Sequence, residues 1–274
     1  LSPVMHNAAY EEMGLDWCYV AIPCDRENIE KVTTALRIVD CKGLNVTIPH
    51  KQEVLKACNK LTETANKIQA VNTLVPEKNN QWIGANTDVE GFLMPLKNHN
   101  LINKSVIVIG CGGSARAVVM GLNSLNIKKI TIIGRNKNSL NIFISSMKNL
   151  LSKNQISIEG IDNKEIDITS YIEEADLIIN TTPIGMNDQN NVKNNIPLGN
   201  EIWNCLSNKT ILYDLIYTPR PTNWLKLGQK KNCFVIDGLD MLVGQGALSI
   251  KLWSGFNDVP IQIMKSSAKK HLMV

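Results

Sequence analysis

Lys51 closes the stretch Asn45-Val46-Thr47-Ile48-Pro49-His50-Lys51, where an apolar run that reads as a strand ends on a proline. A lysine at the mouth of a strand has two readings. It is a surface cation that opens the next helix, or its ammonium faces a reacting group, where it can stabilise negative charge and release a proton. The stretch by itself leaves both open.

A second stretch, residues 106–119, carries Gly110-Cys111-Gly112-Gly113-Ser114-Ala115. Gly110, Gly112 and Ala115 fit G-x-G-x-x-[G/A], after a predicted strand and at the start of a predicted helix, which is the setting of a dinucleotide-binding loop. Gly110 permits the tight turn, Gly112 lets backbone approach a pyrophosphate, and Ala115 allows close helix–strand packing. The helix start offers free N–H groups and a favourable dipole to phosphate. The following strand ends Gly134-Arg135-Asn136-Lys137, with no acid to take ribose hydroxyls. An arginine there can fork onto a 2′-phosphate that a carboxylate would repel, so the expected cofactor is NADP(H). Its alternative role is that of a solvated turn residue.

These residues need scaffolds, and strand and helix patterns alternate along the chain. In the first part the apolar spacing predicts a helix over 3–14, a strand over 17–24, a helix over 28–40, a strand over 43–49 and a helix over 51–61. Two strands around a polar turn with paired Asn follow in 68–88, then a helix over 89–100 broken near Pro95. This first unit is expected to be α/β with a largely parallel sheet. A second unit reads as strands over 105–110, 129–134, 156–160, 175–183, 210–217 and 233–238. Helices are expected between them over 114–125, 139–151 and 223–231, with an Asn-rich loop near 187–200. The tail from Leu239 is helical. The chain opens at Leu1 directly on a helix, whereas an α/β unit usually opens on a strand, so a preceding strand is expected outside this sequence.

Composition excludes several classes. The 274 residues are 44% hydrophobic and 20% charged with a net charge of +4, ordinary for a globular chain and too mild for nucleic-acid binding. Seven cysteines are scattered without a CxxC, which argues against a disulfide framework or zinc site and for a reducing cytoplasm. No apolar run approaches the roughly 18 residues of a membrane span, and no signal peptide opens the chain. His6 and His50 lack a matching cluster of ligands and read as structural; no metal is expected.

Taken together, Ser2–Asn7, Asn45–Lys51, Ala70–Leu74, Gly84–Phe92, Gly110–Ala117, Asn180–Met186, Tyr213–Tyr217 and Asp237–Ser249 resemble the shikimate dehydrogenase family, in its order and spacing over most of the chain. The resemblance implies an α/β protein of two domains. An N-terminal α/β substrate domain (1–88) would be followed by a Rossmann-like NADP-binding domain (89–238), and C-terminal helices (239–274) would return to the substrate domain. It implies NADPH-dependent, reversible reduction of 3-dehydroshikimate to shikimate, on the route to chorismate and the aromatic amino acids. Lys51 and Asp88 would form the catalytic pair. Ser2, Thr47, Asn72, Tyr217 and Gln245 would surround the substrate, and Asn86 suits the same polyol acid. Gly110, Cys111, Gly112, Gly113, Ser114 and Ala115 would hold the pyrophosphate, and Arg135 the 2′-phosphate. Thr181, Met186, Leu215 and Gly238 would lie near the nicotinamide, and Glu63 on the cofactor side. The family has a further serine two residues before Ser2, a position ahead of Leu1, and often Asn-Arg-Thr where this chain has Gly134-Arg135-Asn136.

The chemistry follows from the implied substrate. Hydride arriving at a ring carbonyl leaves charge on oxygen, and an ammonium beside it can take that charge and supply the proton. An acid near the ammonium would hold it in place and tune it. Bland roles stand beside these: a helix cap for Asp88, a strand residue for Thr47, turn residues for Asn72 and Asn86, an exposed helical Gln245 and a half-buried Tyr217. The competing functions are a quinate/shikimate dehydrogenase with broader substrate or NAD use, a non-catalytic NADPH-binding regulator, and a dehydrogenase of the methylene-tetrahydrofolate type. The expected partners are a small-molecule substrate and a second copy in a homodimer, with neither nucleic acid nor membrane.

Overall fold

The computed structural model describes residues 1–162, 168–186, 196–200 and 202–272. The chain forms two compact units, Leu1–Met94 with Asp240–Val274, and Pro95–Leu239. The first holds α1 (Ser2–Glu12), α2 (Ile29–Ile38), β1 (Leu44–Asn45), β2 (Lys60–Leu61), α3 (Glu63–Ile68), β3 (Thr73–Glu77), β4 (Gln81–Ala85) and α4 (Asp88–Leu93). The second holds β5 (Ser105–Ile109), α5 (Gly113–Asn123), β6 (Lys129–Gly134), α6 (Lys137–Leu151), β7 (Ser157–Asp162), α7 (Thr169–Glu173), β8 (Leu177–Asn180), α8 (Ile202–Cys205), β9 (Ile211–Asp214), α9 (Asn223–Lys230) and β10 (Phe234–Ile236). Helices α10 (Leu239–Ser254) and α11 (Ile261–Leu272) return the chain to the first unit.

In the first unit the sheet order is β1-β3-β4-β2. β1 and β4 both run antiparallel to β3, and only β2 is parallel to its neighbour. The expected largely parallel sheet is therefore corrected. The β3–β4 hairpin makes the difference, because Asn79 and Asn80 both adopt positive φ, which Asn tolerates, and the turn reverses the chain directly. Val46, Val54, Ala65, Val71, Leu74 and Trp82 pack as one buried cluster, each large side chain contributing about 1.5–3 kcal/mol by leaving water. α11 lies against α1.

Two further expectations fail in this unit. Residues 17–24 form no strand. The backbone of Tyr19 is satisfied instead by one side chain: its N–H donates to Asn7 Oδ1 at 2.7 Å and its carbonyl accepts from Asn7 Nδ2 at 3.0 Å. The helix expected over 51–61 is a turn followed by a 3₁₀ segment, Glu53–Ala57, and β2. The Lys51 carbonyl accepts from Val71 N–H at 2.8 Å, so it is not available to start an α-helical ladder.

The second unit is the doubly wound sheet the sequence predicts. Its six strands run β10-β9-β8-β5-β6-β7, and all neighbours are parallel. β5 lies between β6 and β8, so the order reverses at the C-terminal end of β5, the switch point where such sheets bind ligands. Ile107, Ile178, Leu212 and Trp224 are among the residues buried on one side. The short helices α7 and α8 were not expected, and residues 187–195 of the expected Asn-rich loop lie outside the described residues.

Candidate active site

Lys51 sits in the turn after β1. His50 N–H donates to the Thr47 carbonyl at 2.9 Å, and Val54 N–H to that of His50, which fixes the turn from both sides. The Lys51 ammonium reaches Asp88 Oδ2 at 2.7 Å. Both side chains are largely buried, 13% and 6% exposed. A buried pair of this kind is not explained as a stabilising device, because desolvation offsets much of the attraction.

Asp88 is the first residue of α4, and Thr87 precedes it as the cap. The helix-cap role for the Asp88 side chain is therefore corrected: its oxygens accept from Lys51 and from Asn72 Nδ2, the latter at 2.9 Å. Its own N–H donates to Asn86 Oδ1, while Asn86 Nδ2 donates to the Ala70 carbonyl. Asn86 thus shapes the loop from within. Asn72 Nδ2 also lies 3.3 Å from Gln245 Oε1 on α10. Gly91 lets α10 approach: a Cβ there would fall 2.9 Å from the Met241 carbonyl and from Gln245 Cβ.

Lys51, Asp88, Asn72 and Gln245, spread over nearly 200 residues of sequence, thus meet within the first unit. Ser2 and Thr47 are not hydrogen-bonded to this cluster. The Ser2 carbonyl accepts from His6 Nδ1 at 2.8 Å, and Thr47 is exposed. Glu63 opens α3 and pairs with Lys67 one turn on. The sequence reading missed Thr73, Thr87 and Ser249, which bond to the same cluster. Ser249 could have been found, since it stands four residues after Gln245 and so on the same helical face.

In the second unit the glycine loop joins β5 to α5. Gly110 adopts φ +106, and a Cβ there would fall 2.7 Å from Thr181 Oγ1. Thr181 is held to the base of the loop, its N–H and its hydroxyl both donating to the Ile109 carbonyl. Gly112 caps α5 and faces open space, with nothing within 4 Å of a built Cβ. Ala115 is fully buried. This cradle fits a pyrophosphate: small residues, the N–H groups of a helix start, and room above Gly112.

Arg135 is exposed just past β6, and Asn136 caps α6 by accepting from Ser139 N–H. Gly238 touches Leu215: a Cβ there would fall 2.0 Å from the Leu215 carbonyl oxygen. Leu215 N–H donates to the Asn180 carbonyl. Thr181, Leu215 and Gly238 thus gather past the ends of β8, β9 and β10. Met186 is half exposed in the turn after β8, and Tyr217 follows β9 with its phenol pushed up by burial.

Asp214 anchors these ends. It accepts from Asn180 Nδ2, Ile216 N–H and Thr222 Oγ1. Burial pushes its carboxyl up to about 6 against these three bonds, which pull the other way. In the first unit, burial pushes His6 down to about 4. Among the described residues no group of His, Cys, Asp or Glu is arranged to hold a metal, and no helix is long and apolar enough to cross a membrane.

A parallel sheet with a glycine cradle at its switch point, joined to a unit with a buried Lys–Asp pair, defines a dinucleotide-dependent oxidoreductase of two α/β units. Residues 1–74 match the shikimate dehydrogenase substrate binding domain, and 238–269 the shikimate 5′-dehydrogenase C-terminal domain. A shikimate dehydrogenase (NADP(+)) of Prochlorococcus marinus (strain MIT 9515) is 50% identical over 272 residues, covering 99% of this chain and 93% of that protein. A shikimate dehydrogenase solved in complex with NADP+ superposes with a TM-score of 0.86 at 33% identity, over 99% of this chain and 91% of the other. The shikimate 5-dehydrogenase of Listeria monocytogenes, solved with shikimate and NAD, gives a TM-score of 0.84 at 27% identity, over 97% and 91%. The chain belongs to the shikimate dehydrogenase family.

Proposed function

We propose that this chain reduces 3-dehydroshikimate to shikimate with NADPH, and that Lys51 and Asp88 handle the proton. The observation that carries the residue assignment is the buried contact of 2.7 Å between Lys51 Nζ and Asp88 Oδ2, in a chain of this family. Leu1–Met94 with Asp240–Val274 is the substrate unit in this reading, and Pro95–Leu239 the cofactor unit.

The cofactor, when bound, supplies hydride from its nicotinamide ring. Gly110 to Ala115 would receive its pyrophosphate and Arg135 its 2′-phosphate, the latter by charge-assisted hydrogen bonds. Thr181, Met186, Leu215 and Gly238 would border the nicotinamide, and Glu63 the cofactor side of the substrate unit. As the carbonyl carbon is reduced, negative charge grows on its oxygen. The Lys51 ammonium stabilises that charge and releases a proton to it, forming the hydroxyl. Asp88 holds the ammonium by one oxygen while Asn72 holds Asp88 by the other. In the oxidative direction neutral Lys51 accepts the hydroxyl proton. Ser2, Thr47, Asn72, Tyr217 and Gln245 are assigned to the carboxylate and hydroxyls of the substrate, which needs many donors and acceptors. All seven cysteines are free, in keeping with a cytoplasmic enzyme; assembly as a homodimer is part of the same proposal.

The test is nicotinamide absorbance with shikimate and quinate, each with NADP and NAD. Turnover of shikimate with NADP well above the other three combinations is expected. Lys51→Ala should keep NADPH affinity while kcat falls on the order of 10²–10³-fold, as for loss of one charge stabiliser. A near-normal kcat would remove Lys51 from the mechanism.

A further inference from the structure

Beneath the Lys51–Asp88 pair lies a layer of buried hydroxyls that the reaction does not touch. Thr73 on β3 and Ser249 on α10 are fully buried, and Thr87 nearly so. Three hydroxyls in a core cost free energy that apolar side chains of similar shape would not, unless each is satisfied. Here they are satisfied, and several of the bonds have a fixed direction.

Thr87 N–H can only donate, and it lies 2.8 Å from Asn72 Oδ1. That fixes the amide of Asn72, so Nδ2 faces Asp88 Oδ1. Thr73 Oγ1 donates to the same Asn72 Oδ1 at 3.0 Å. Thr73 Oγ1 also lies 2.9 Å from Ser249 Oγ and accepts from Asn45 Nδ2 at 3.2 Å. Ser249 Oγ donates to the Gln245 carbonyl at 3.0 Å and accepts from Asn45 Nδ2 at 2.8 Å. Asn45 Oδ1 accepts from the Tyr19 hydroxyl at 3.0 Å. Burial pushes the Tyr19 phenol up to about 12, which keeps that proton in place, and the His6 ring stacks on Tyr19 at 4.1 Å.

The geometry points to a hydrogen-bonded strut, Tyr19–Asn45–Ser249–Thr73–Asn72, that orients Asp88 toward Lys51. Thr73 and Ser249 are its positioning residues. Its far end is anchored in the aromatic packing of His6 and Tyr19. The strut joins four separated segments of the first unit, and the two hydroxyls are assigned no place in substrate or cofactor binding. The inference rests on the reading of Lys51 and Asp88 as the proton-handling pair.

The test is Thr73→Val, which keeps the branched shape a strand favours and removes the hydroxyl, with Thr73→Ser as the rescue. Shikimate oxidation with NADP is followed at saturation of both. For Thr73→Val, kcat is expected to fall about tenfold while KM for NADP stays within about twofold. Thr73→Ser is expected to recover most of the kcat. If Thr73→Val does not fold, Ser249→Ala is measured in its place with the same expectation. A wild-type kcat, or a loss that Thr73→Ser does not restore, overturns the strut. Lys51→Ala runs beside them. If that variant keeps full turnover, the assignment of the pair has failed; if it is inactive while Thr73→Val is normal, only the strut has failed.

Discussion

At the scale of single residues, the site depends on a few atoms whose neighbours leave no slack. Arg135 carries the choice of cofactor in the proposed reading, because nothing acidic stands beside it at the end of β6. Arg135→Ala should raise the Kd for NADPH about tenfold or more, the worth of a hydrogen bond to a charged group, and leave NADH binding nearly unchanged. Isothermal titration with both nucleotides measures this, and equal losses for the two would mean the guanidinium does not read the 2′-phosphate. Residue identity could not have selected Thr73 or Thr87, and for Ser249 only the four-residue spacing from Gln245 offered a signal. A hydroxyl in a strand, a loop or a helix is common, and only the folded chain shows that three of them meet.

At the scale of elements, the parallel sheet of the second unit was legible because strands buried on both faces read as continuous apolar runs. Ser105–Ile109, Lys129–Gly134 and Leu177–Asn180 are of this kind. The first unit was harder. Its strands β1 and β2 are two residues each, too short for a period to show, and the backbone of Tyr19 is paired by the Asn7 side chain where a strand was expected. The junction of β10 and α10 makes a prediction of its own. Gly238 lies against the Leu215 carbonyl with no room for a methyl group, so Gly238→Ala must shift the backbone after β9 or β10. A loss of about 3 kcal/mol is expected, at the severe end for overpacking, read by denaturant unfolding. A stability within about 0.5 kcal/mol of the parent, as for a neutral surface change, would show that the junction yields easily.

At the scale of the molecule, the two units respond to acid in opposite senses. His6, in the first unit, falls from 6.5 to about 4 on folding, so its contribution is present above 6.5 and is lost as pH falls toward 4. Asp214, in the second, rises from 3.8 to about 6, so its contribution is present below 3.8 and is lost as pH rises past 6. Each shift corresponds to about 3 kcal/mol. Between pH 6.5 and 4 the first unit should therefore weaken while the second strengthens, with midpoints moving apart by on the order of 10 °C. Trp82 and Trp253 report on the first unit, Trp203 and Trp224 on the second, and fluorescence melts of variants keeping one pair each would resolve them. Midpoints that move together would contradict the linkage. Asp214→Asn should flatten the response of the second unit alone.

The chain leaves its first unit at Met94 and re-enters it only at Asp240. During translation the second unit, the cofactor unit in the proposed reading, therefore has all its strands before the ribosome has delivered α10, with Gln245 and Ser249, or α11, which covers α1. A chain released after residue 239 would hold every strand of its second unit, while its earlier-made unit would still lack its last two helices. Catalytic competence is thus among the final properties this polypeptide acquires as it is made.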